Sequence, residues 1–376
     1  MNRMLKHVME DMHIYQLINK NNINSTICLI VNAGAENEVL KNNGVAHILE
    51  HMCVHYIQKK WNEQFGEHVQ CSGVTEYDYI RLRIDLEKNS EEKKEFVNYI
   101  YQEILSGAML QEKLFIKSIE EVKQEYLERQ ADVEEQRKII HAITKGILVT
   151  HPVGGQQALE KIQCNNVEKF YQEYYRNRKI AIINISNREF RFKFVRDGLQ
   201  DGCREWLQAV EQKQVQLDTF YQKGSFRHFL MEHSKAQLSY IEKSLLLCII
   251  EKRMKNAGVN DCSLYCKDIA EGYRFIYVKG KEKENIPIVN KIIKNILTDG
   301  IAEWEMELGK QALISFIEVC KMNKQKLSYS ASIETIISNF LYKDELLIGN
   351  SYDSIYNAIK TIEKEEMRGK ISKCII

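Results

Sequence analysis

Proline is nearly absent from this chain, and an excess of either charge is missing as well. Of the 376 residues only Pro152 and Pro287 are proline, and 53 Lys and Arg face 52 Asp and Glu, leaving a net charge of +1. Proline-rich linkers and proline-rich disordered tails are therefore excluded. Without a bulk positive charge, the composition gives no argument for binding nucleic acid or an anionic membrane surface.

Long apolar runs and an export signal are also lacking. No stretch approaches the roughly 20 apolar residues that span a bilayer. Near the N-terminus, Glu10, Asp11 and His13 interrupt the sequence before the apolar segment of a signal peptide could form. The cysteines are scattered, and the closest pair, Cys262 and Cys266, does not make a zinc ribbon. We therefore predict reduced thiols and a cytoplasmic location.

The sequence does contain the strand and helix patterns of a globular α+β protein. Its 44% apolar and 28% charged residues are typical of that class. Helical periodicity after residue 44 and over residues 111–146 predicts helices. Apolar or alternating runs predict strands at residues 13–18, 26–31, 69–86, 179–185, 190–194, 236–241 and 273–278. Because the order of elements in the first half is echoed in the second, we predict two related α+β domains, residues 1–187 and 188–376.

One stretch, residues 44–52, carries a metal-binding pattern. It contains His-x-x-Glu-His, the inverse of the commoner His-Glu-x-x-His order. On a helix, His47 and His51 project from the same face, where two neutral imidazoles can bind one tetrahedral zinc ion. Glu50 reaches that face and can take a proton from an attacking water. The alternative is a core helix with two incidental histidines, but burying these groups without a purpose is costly.

A third ligand must come from elsewhere, since catalytic zinc usually takes three protein ligands and leaves a fourth position open. A carboxylate from the long predicted helix is expected. The candidates there are Glu120, Glu121, Glu125 and Glu128. Glu121 and Glu128 share one face two turns apart, and Glu125 lies near that face. Because most glutamate runs on helices are solvated, the residues alone leave this choice open.

Further segments around the motif resemble those of one known family, the insulinase-like (pitrilysin, M16) zinc metallopeptidases. Residues 44–52 are similar to the family's Gly-Leu-Ala-His-Phe-Leu-Glu-His-Met, and 76 residues separate His51 from Glu128, as the family spacing requires. Residues 75–79 resemble the strand that follows the family's metal helix. Residues 151–152 and 170–175 resemble its His-Pro-Tyr-Gly and Phe-Tyr-x-x-Tyr-Tyr segments. The resemblance covers about residues 13–187, and beyond residue 190 it is only faint.

This resemblance implies a zinc site and a reaction. His47, His51 and Glu128 would bind Zn²⁺, and Glu50 would be the general base. Glu121 would support the site from outside the ligand set by orienting His51. The implied fold has two related domains, each an antiparallel sheet flanked by helices, as in insulinase and mitochondrial processing peptidase. With three ligands assigned, we interpret His55, four residues after His51, as structural.

Two segments depart from the family pattern. Where the family carries Asn-Ala-x-Thr, this chain has Ser72-Gly73-Val74-Thr75, so Ser72 is only a weak candidate for substrate binding. Active members also bring an Arg and a Tyr over the zinc from a segment like Leu-Arg-Glu-x-x-Gly-Leu-Ala-Tyr. Residues 251–265 contain Arg253 and Tyr265, but the spacing differs and the Gly-Leu-Ala-Tyr core is absent. We interpret both as ordinary helix and strand residues.

The motif, the family resemblance and the two departures from it together predict a function and a partner. The chain is expected to be a zinc metalloendopeptidase that cleaves small or unfolded peptides in an enclosed chamber, with a precursor or leader peptide as substrate. It resembles the small two-domain (M16B-like) subunits, so we expect a heterodimer with a homologous, zinc-less subunit that supplies the Arg/Tyr pair, or else a homodimer. The alternative is a non-hydrolytic peptide-binding or scaffold subunit.

Overall fold

The structure is a computed structural model, and the chain divides into two units within it. It describes residues 2–9, 12–88, 90–144, 146, 148–176, 178–193, 219–222, 224–233, 236, 238–270, 273–322, 329–342 and 352–374. The first unit comprises residues 1–140 and 148–206, and the second comprises residues 141–147 and 207–376. The predicted boundary after residue 187 therefore falls inside the last segment of the first unit, and the domain limits stay a prediction.

A six-stranded sheet forms one layer of the first unit. Its strands are β1 (Asn2–Met9), β2 (Met12–Asn19), β3 (Ser25–Val31), β4 (Gln70–Thr75), β5 (Ile80–Leu86) and β6 (Ile180–Ser186). Their order is β1-β2-β6-β3-β5-β4, and every neighbouring pair is antiparallel except β2 with β6. Every residue of β3 and β6 is buried, as their apolar runs predict.

Helices cover this sheet. They are α1 (Val45–Phe65), α2 (Glu91–Ser106), α3 (Glu112–Ile143), α4 (Gln156–Leu159) and α5 (Cys164–Phe170), and a π-helical turn follows at Tyr171–Tyr175. Ile48, Leu49 and Met52 of α1 are fully buried and share one core with Leu82 and Ile84 of β5. The α+β fold class is therefore confirmed.

The single strand predicted over residues 69–86 is a hairpin. Strand β4 ends at Thr75 and β5 begins at Ile80. The N–H of Glu76 donates to the carbonyl of Tyr79 at 2.9 Å, which closes the turn. Because apolar and polar residues alternate through the turn as well, the alternation did not indicate where one strand ends and the next begins. The hairpin matters because it makes β4 an edge strand that packs beside α1.

The second unit has a four-stranded antiparallel sheet and six helices among its described residues. The strands are β7 (Thr219–Gln222), β8 (Ser225–Glu232), β9 (Ser263–Ala270) and β10 (Tyr273–Gly280), in the order β7-β8-β10-β9. The helices are α6 (Tyr240–Asn256), α7 (Ile286–Asp299), α8 (Glu303–Met322), α9 (Tyr329–Tyr342), α10 (Tyr352–Thr361) and α11 (Lys364–Ile371).

Of the strands predicted for this half, the one at residues 273–278 is confirmed as β10. The strands predicted at 190–194 and 236–241 are wrong for the residues described there; residues 194 and 237 lie outside them. In the second case a capping box explains the error: Ser239 accepts from the N–H of Glu242, and the Glu242 side chain accepts from the N–H of Ser239, so α6 begins at Tyr240.

Two further findings concern the helices and the cysteines of the described residues. None of their helices combines the length and the apolar character needed to cross a bilayer. The eight cysteines whose side chains are described are all free thiols.

Candidate metal centre

The N-terminus of α1 is fixed by a buried carboxylate. One oxygen of Glu38 accepts from the N–H of Ala46 at 2.7 Å, and the other accepts from the N–H of Gly44 at 2.9 Å and the Asn43 side chain at 2.6 Å. A carboxylate there also meets the positive end of the helix dipole. Burial raises the pKa of Glu38 to about 7, although these three donors favour its charged form. The first turn of α1, which carries His47, is thereby anchored.

A backbone carbonyl orients the ring of His47. Its Nδ1 lies 3.4 Å from the carbonyl oxygen of Val153. The loop that presents this carbonyl is held by Asn43, whose side chain accepts from the N–H of His151 at 3.1 Å and donates to its carbonyl at 2.8 Å. Because Nδ1 is turned toward this carbonyl, Nε2 of His47 is the ring nitrogen that can bind a metal.

The ring of His51 is oriented by a carboxylate instead. Its Nδ1 lies 3.1 Å from Oε2 of Glu121. A carboxylate accepting from Nδ1 fixes the tautomer and raises the basicity of Nε2. Glu121 therefore makes the contact expected of a residue that orients His51 without binding the metal.

The third carboxylate at the histidines is Glu125. Its Oε2 lies 3.4 Å from Nε2 of His47 and 3.8 Å from Nε2 of His51. Glu128, which the family resemblance implied as the ligand, is exposed, and its carboxylate accepts from the Gln124 side chain at 2.9 Å. The structure thus places Glu125, and not Glu128, beside the two motif histidines, so Glu125 replaces Glu128 as the candidate third ligand.

The register between two helices explains this correction. Glu121 contacts His51, whereas Glu125, one turn further along α3, contacts His47, one turn earlier in α1. The helices therefore run past each other in opposite directions. Glu128 lies about 4.5 Å further along the axis of α3 at 1.5 Å per residue. That position is beyond the first turn of α1, where no histidine remains.

The three donor groups fit zinc in kind, and the two distances from the carboxylate to the imidazoles fit it in spacing. A tetrahedral ion bound at about 2.0–2.2 Å holds its ligand atoms roughly 3.4 Å apart. The carboxylate of Glu125 lies 3.4 Å and 3.8 Å from the two imidazole nitrogens, close to that spacing. Two oriented imidazoles and one carboxylate are a donor set that zinc takes in catalytic sites.

The electrostatics of the site also favour a cation. Hydrogen bonds from His47 and His51 lower the pKa of Glu125 far below its usual range, so this carboxylate is ionised. Burial disfavours charge on His51, but the carboxylates of Glu125, Glu50 and Glu121 outweigh it and raise the pKa of this histidine. Three carboxylates around two imidazoles concentrate negative charge that a dication would neutralise.

Glu50 lies beside this donor set in an apolar setting. Its Oε2 is 3.6 Å from Nε2 of His47 and accepts from the hydroxyl of Thr75, at the end of β4, at 3.5 Å. Burial raises the pKa of Glu50, against the opposing effect of His47 and His51. A carboxylate whose pKa is raised toward neutrality is a better proton acceptor in catalysis than one that stays strongly acidic.

Gly73 of β4 leaves the space that the Glu50 side chain occupies. A Cβ at this position would lie 1.8 Å from Oε1 and 2.6 Å from Cγ of Glu50. We expect Gly73→Ala to push the carboxylate out of place and to lower kcat by about tenfold or more, since small displacements of catalytic groups are costly. Zinc content should stay unchanged, and both are measured on the purified variant.

The matched control for that substitution is Gly369→Ala. Gly369 lies in α11, and a Cβ there meets nothing within 4 Å. An unaltered kcat in Gly73→Ala would show that Glu50 acts from a different rotamer.

Ser72, the weak substrate-binding candidate, does not face the site. Neighbouring residues of a strand point to opposite faces. Because the Cβ position of Gly73 points at Glu50, the Ser72 side chain points away from it, and it is exposed. At this point of β4 it is Gly73, and not Ser72, that faces the carboxylate of Glu50.

Arg253 and Tyr265 are occupied within the second unit. The guanidinium of Arg253 donates two hydrogen bonds of 2.7 Å to Glu305 and one of 3.0 Å to the carbonyl of Gly300. The ring of Tyr265 on β9 stacks on Tyr277 with centroids 5.3 Å apart. Their interpretation as ordinary helix and strand residues agrees with these contacts.

Several contributors to the site were missed or left open in the sequence. Glu125 was one of four open candidates, and Gly73, Thr75, Val153 and Glu38 were not assigned to the site. One signal for Glu125 exists: the two histidines are four residues apart, and so are Glu121 and Glu125. The carbonyl of Val153 leaves no side-chain signal at all.

Comparison with known proteins supports the same family for the stretch that carries both helices of the site. Residues 16–148 match the family described as insulinase (peptidase family M16). Curated protein sequences gave no match.

Solved structures share the fold over nearly the whole chain. The periplasmic protease PqqL from Escherichia coli has a TM-score of 0.72 at 13% identity, over 99% of this chain and 46% of that one. This chain thus spans about half the length of PqqL. A protease from Helicobacter pylori has a TM-score of 0.67 at 12% identity, over 100% of this chain and 97% of that one.

A third structure, from Pseudomonas fluorescens, is described as an inactive M16 peptidase domain. Its TM-score is 0.66 at 10% identity, over 99% of this chain and 95% of that one. At these identities the structures establish the fold and not the activity. The stretch that carries α1 and α3 thus matches the insulinase-like (M16) peptidase family, and the chain as a whole shares the fold of these structures.

Proposed function

We propose that the chain is a zinc-dependent endopeptidase. The observation that carries the proposal is the approach of Glu125 Oε2 to Nε2 of both motif histidines, next to the buried carboxylate of Glu50. A peptidase that activates water needs a metal with an open position and a base beside it. These four residues supply the protein's share of that arrangement.

The proposed mechanism assigns each side chain one task. His47, His51 and Glu125 hold the zinc ion. When bound there, zinc polarises the scissile carbonyl and makes water easier to deprotonate. Glu50 takes the proton from the attacking water and later gives it to the leaving amine. Thr75, which donates to Glu50, holds that carboxylate in place.

An extended peptide is the substrate shape that this site favours. Strand β4 is at the edge of the six-stranded sheet, and Gly73 within it lies against Glu50. A peptide that added to the free edge of β4 as a further strand would pass beside the general base. Small or unfolded peptides can adopt this form, so we propose cleavage of a precursor or leader peptide within an enclosed chamber.

A partner subunit is part of the proposal. Arg253 is paired with Glu305, so it is not available to stabilise an oxyanion. We propose that a homologous, zinc-less subunit supplies the Arg/Tyr pair in a heterodimer, with a homodimer as the alternative. The cytoplasmic location stays a prediction.

The test measures zinc content and peptide cleavage on the same sample. The chain, alone and co-expressed with a homologous subunit from the same genome, is assayed with a mixture of unstructured peptides by mass spectrometry. We expect cleavage that stops on chelation and returns with added zinc. A chain that binds no zinc would contradict the proposal. Bound zinc without cleavage, even with the partner, would favour the scaffold alternative, a role that the inactive M16 relative makes worth testing.

A further inference from the structure

Hydrogen bonds continue outward from the metal centre for two more residues. Oε2 of Glu121, which accepts from Nδ1 of His51, also lies 2.7 Å from Nε2 of His55. Nδ1 of His55 in turn lies 3.3 Å from Nζ of Lys117. His55 is one turn after His51 in α1, and Lys117 is one turn before Glu121 in α3. The chain Lys117–His55–Glu121–His51, which we call the relay, thus follows the same helix register as the metal ligands.

The donors and acceptors of the relay are fixed by its outermost member. A lysine ammonium has only protons to donate. Nδ1 of His55 therefore accepts from Lys117, and Nε2 carries the ring proton and donates it to Glu121. Glu121 receives a second proton donor, Nδ1 of His51, on the same oxygen. Nε2 of His51 then faces Glu125.

Solvent exposure explains why Glu121 needs such a partner. Its side chain is 40% exposed, whereas that of His55 is 11% exposed. A long, half-exposed carboxylate has several rotamers open to it, and water competes for its oxygens. The contact with His55 favours the rotamer that reaches His51.

We propose that His55 is a positioning residue of the metal centre, which acts on His51 through the carboxylate of Glu121. This proposal rests on the zinc site proposed above and adds a residue that lies outside its ligand set. His55, His51 and Glu121 are also close enough to form a second metal site. That reading is weaker, because Lys117 lies 3.3 Å from His55 Nδ1 and 3.9 Å from Glu121 Oε1 and already supplies the positive charge there.

The first test measures zinc affinity by competition with a chromophoric chelator, which needs no enzymatic activity. We expect His55→Leu to weaken zinc binding about tenfold, the lower end of what losing an outer partner of a metal ligand costs. His55→Gln should restore most of the affinity, because its amide N–H can donate to Glu121. The control is His68→Leu, which removes an exposed imidazole from the turn after α1.

The second test distinguishes positioning from packing. In a Glu121→Ala background, His55→Leu should cause no further loss, since its effect passes through the missing carboxylate. Additive losses, or equal affinity in wild type and His55→Leu, would overturn the proposal. Binding of two zinc ions, one of them lost in His55→Leu, would overturn it in favour of a second site.

Two further measurements keep these outcomes separable. Circular dichroism melts of the metal-free variants establish that each one folds. Lys117→Met, a change at an exposed side chain, should weaken zinc binding about twofold even if His55→Leu does not fold. Wild-type zinc affinity in Lys117→Met would then count against the relay. A wild-type chain that binds no zinc contradicts the proposed function, whereas tight zinc binding in every variant contradicts the relay alone.

Discussion

Replacing Glu50 by Gln should abolish most peptide hydrolysis while zinc content stays that of the wild type. The amide keeps the shape of the side chain but cannot take a proton from water. Loss of a general base costs about 10²–10⁴-fold in rate. The metal should remain because Glu125 has a carboxylate oxygen 3.4 Å and 3.8 Å from Nε2 of the two histidines and can act as the third ligand without Glu50. The measurements are kcat/KM on a cleaved peptide and metal content by mass spectrometry.

The control for that experiment is Glu120→Gln. Glu120 is an exposed glutamate of α3, so the substitution removes a charge near the site without touching it. Its kcat/KM should equal that of the wild type. If Glu50→Gln hydrolyses peptide at the wild-type rate, another group is the base; if it loses zinc, Glu50 is a ligand and the assignment of Glu125 must be revised.

The half of the site that lies on one helix could be predicted from the sequence. His47, Glu50 and His51 follow from local spacing, because residues three and four apart on a helix share a face. The third ligand could not be predicted in this way. It depends on the register between α1 and α3, and the matching four-residue spacing of Glu121 and Glu125 does not by itself fix that register. The family spacing led to Glu128, one turn too far along α3.

The fold shows the same division between local and tertiary information. Strands β2, β3 and β6 were predicted correctly because their apolar runs are almost continuous. The β4–β5 turn was missed because residues 76–79 continue the alternation of the strand that follows. Strand β1 was missed because its residues 3–8 are partly or fully exposed, so this stretch carries little apolar signal. It forms by pairing with β2 along its whole length.

Hydrogen bonds from two different parts of the first unit orient the two histidine rings of the metal centre. His47 is oriented by the carbonyl of Val153, on a loop tied to the start of α1 by Asn43. His51 is oriented by Glu121 from α3. Because each ring has its Nδ1 occupied, both Nε2 atoms face the carboxylate of Glu125. Preorganisation of this kind lowers the entropy lost on binding an ion. With both histidines oriented, the identity of the third ligand is the main point to test at this site.

Glu125→Gln and Glu128→Gln should therefore differ by far more than any other pair of changes on α3. Glu125 has one carboxylate oxygen at the two histidines, while Arg129 holds the other at 2.5 Å. Removing its charge deletes a ligand, so zinc affinity should fall by more than the roughly 10–100-fold that losing an outer partner costs. Glu128 is exposed, and its variant should keep wild-type affinity and cleavage. Chelator competition and peptide cleavage, measured on both variants, decide between them.

The two substitutions are matched controls for each other, because they make the same chemical change one turn apart on the same helix. Loss of zinc in Glu128→Gln with retention in Glu125→Gln would show that α3 shifts by three residues, about 4.5 Å, when the metal binds. That result would restore the ligand set implied by the family spacing. It would also undo the relay, because a shift of that size would carry Glu121 and Lys117 away from their contacts with His51 and His55.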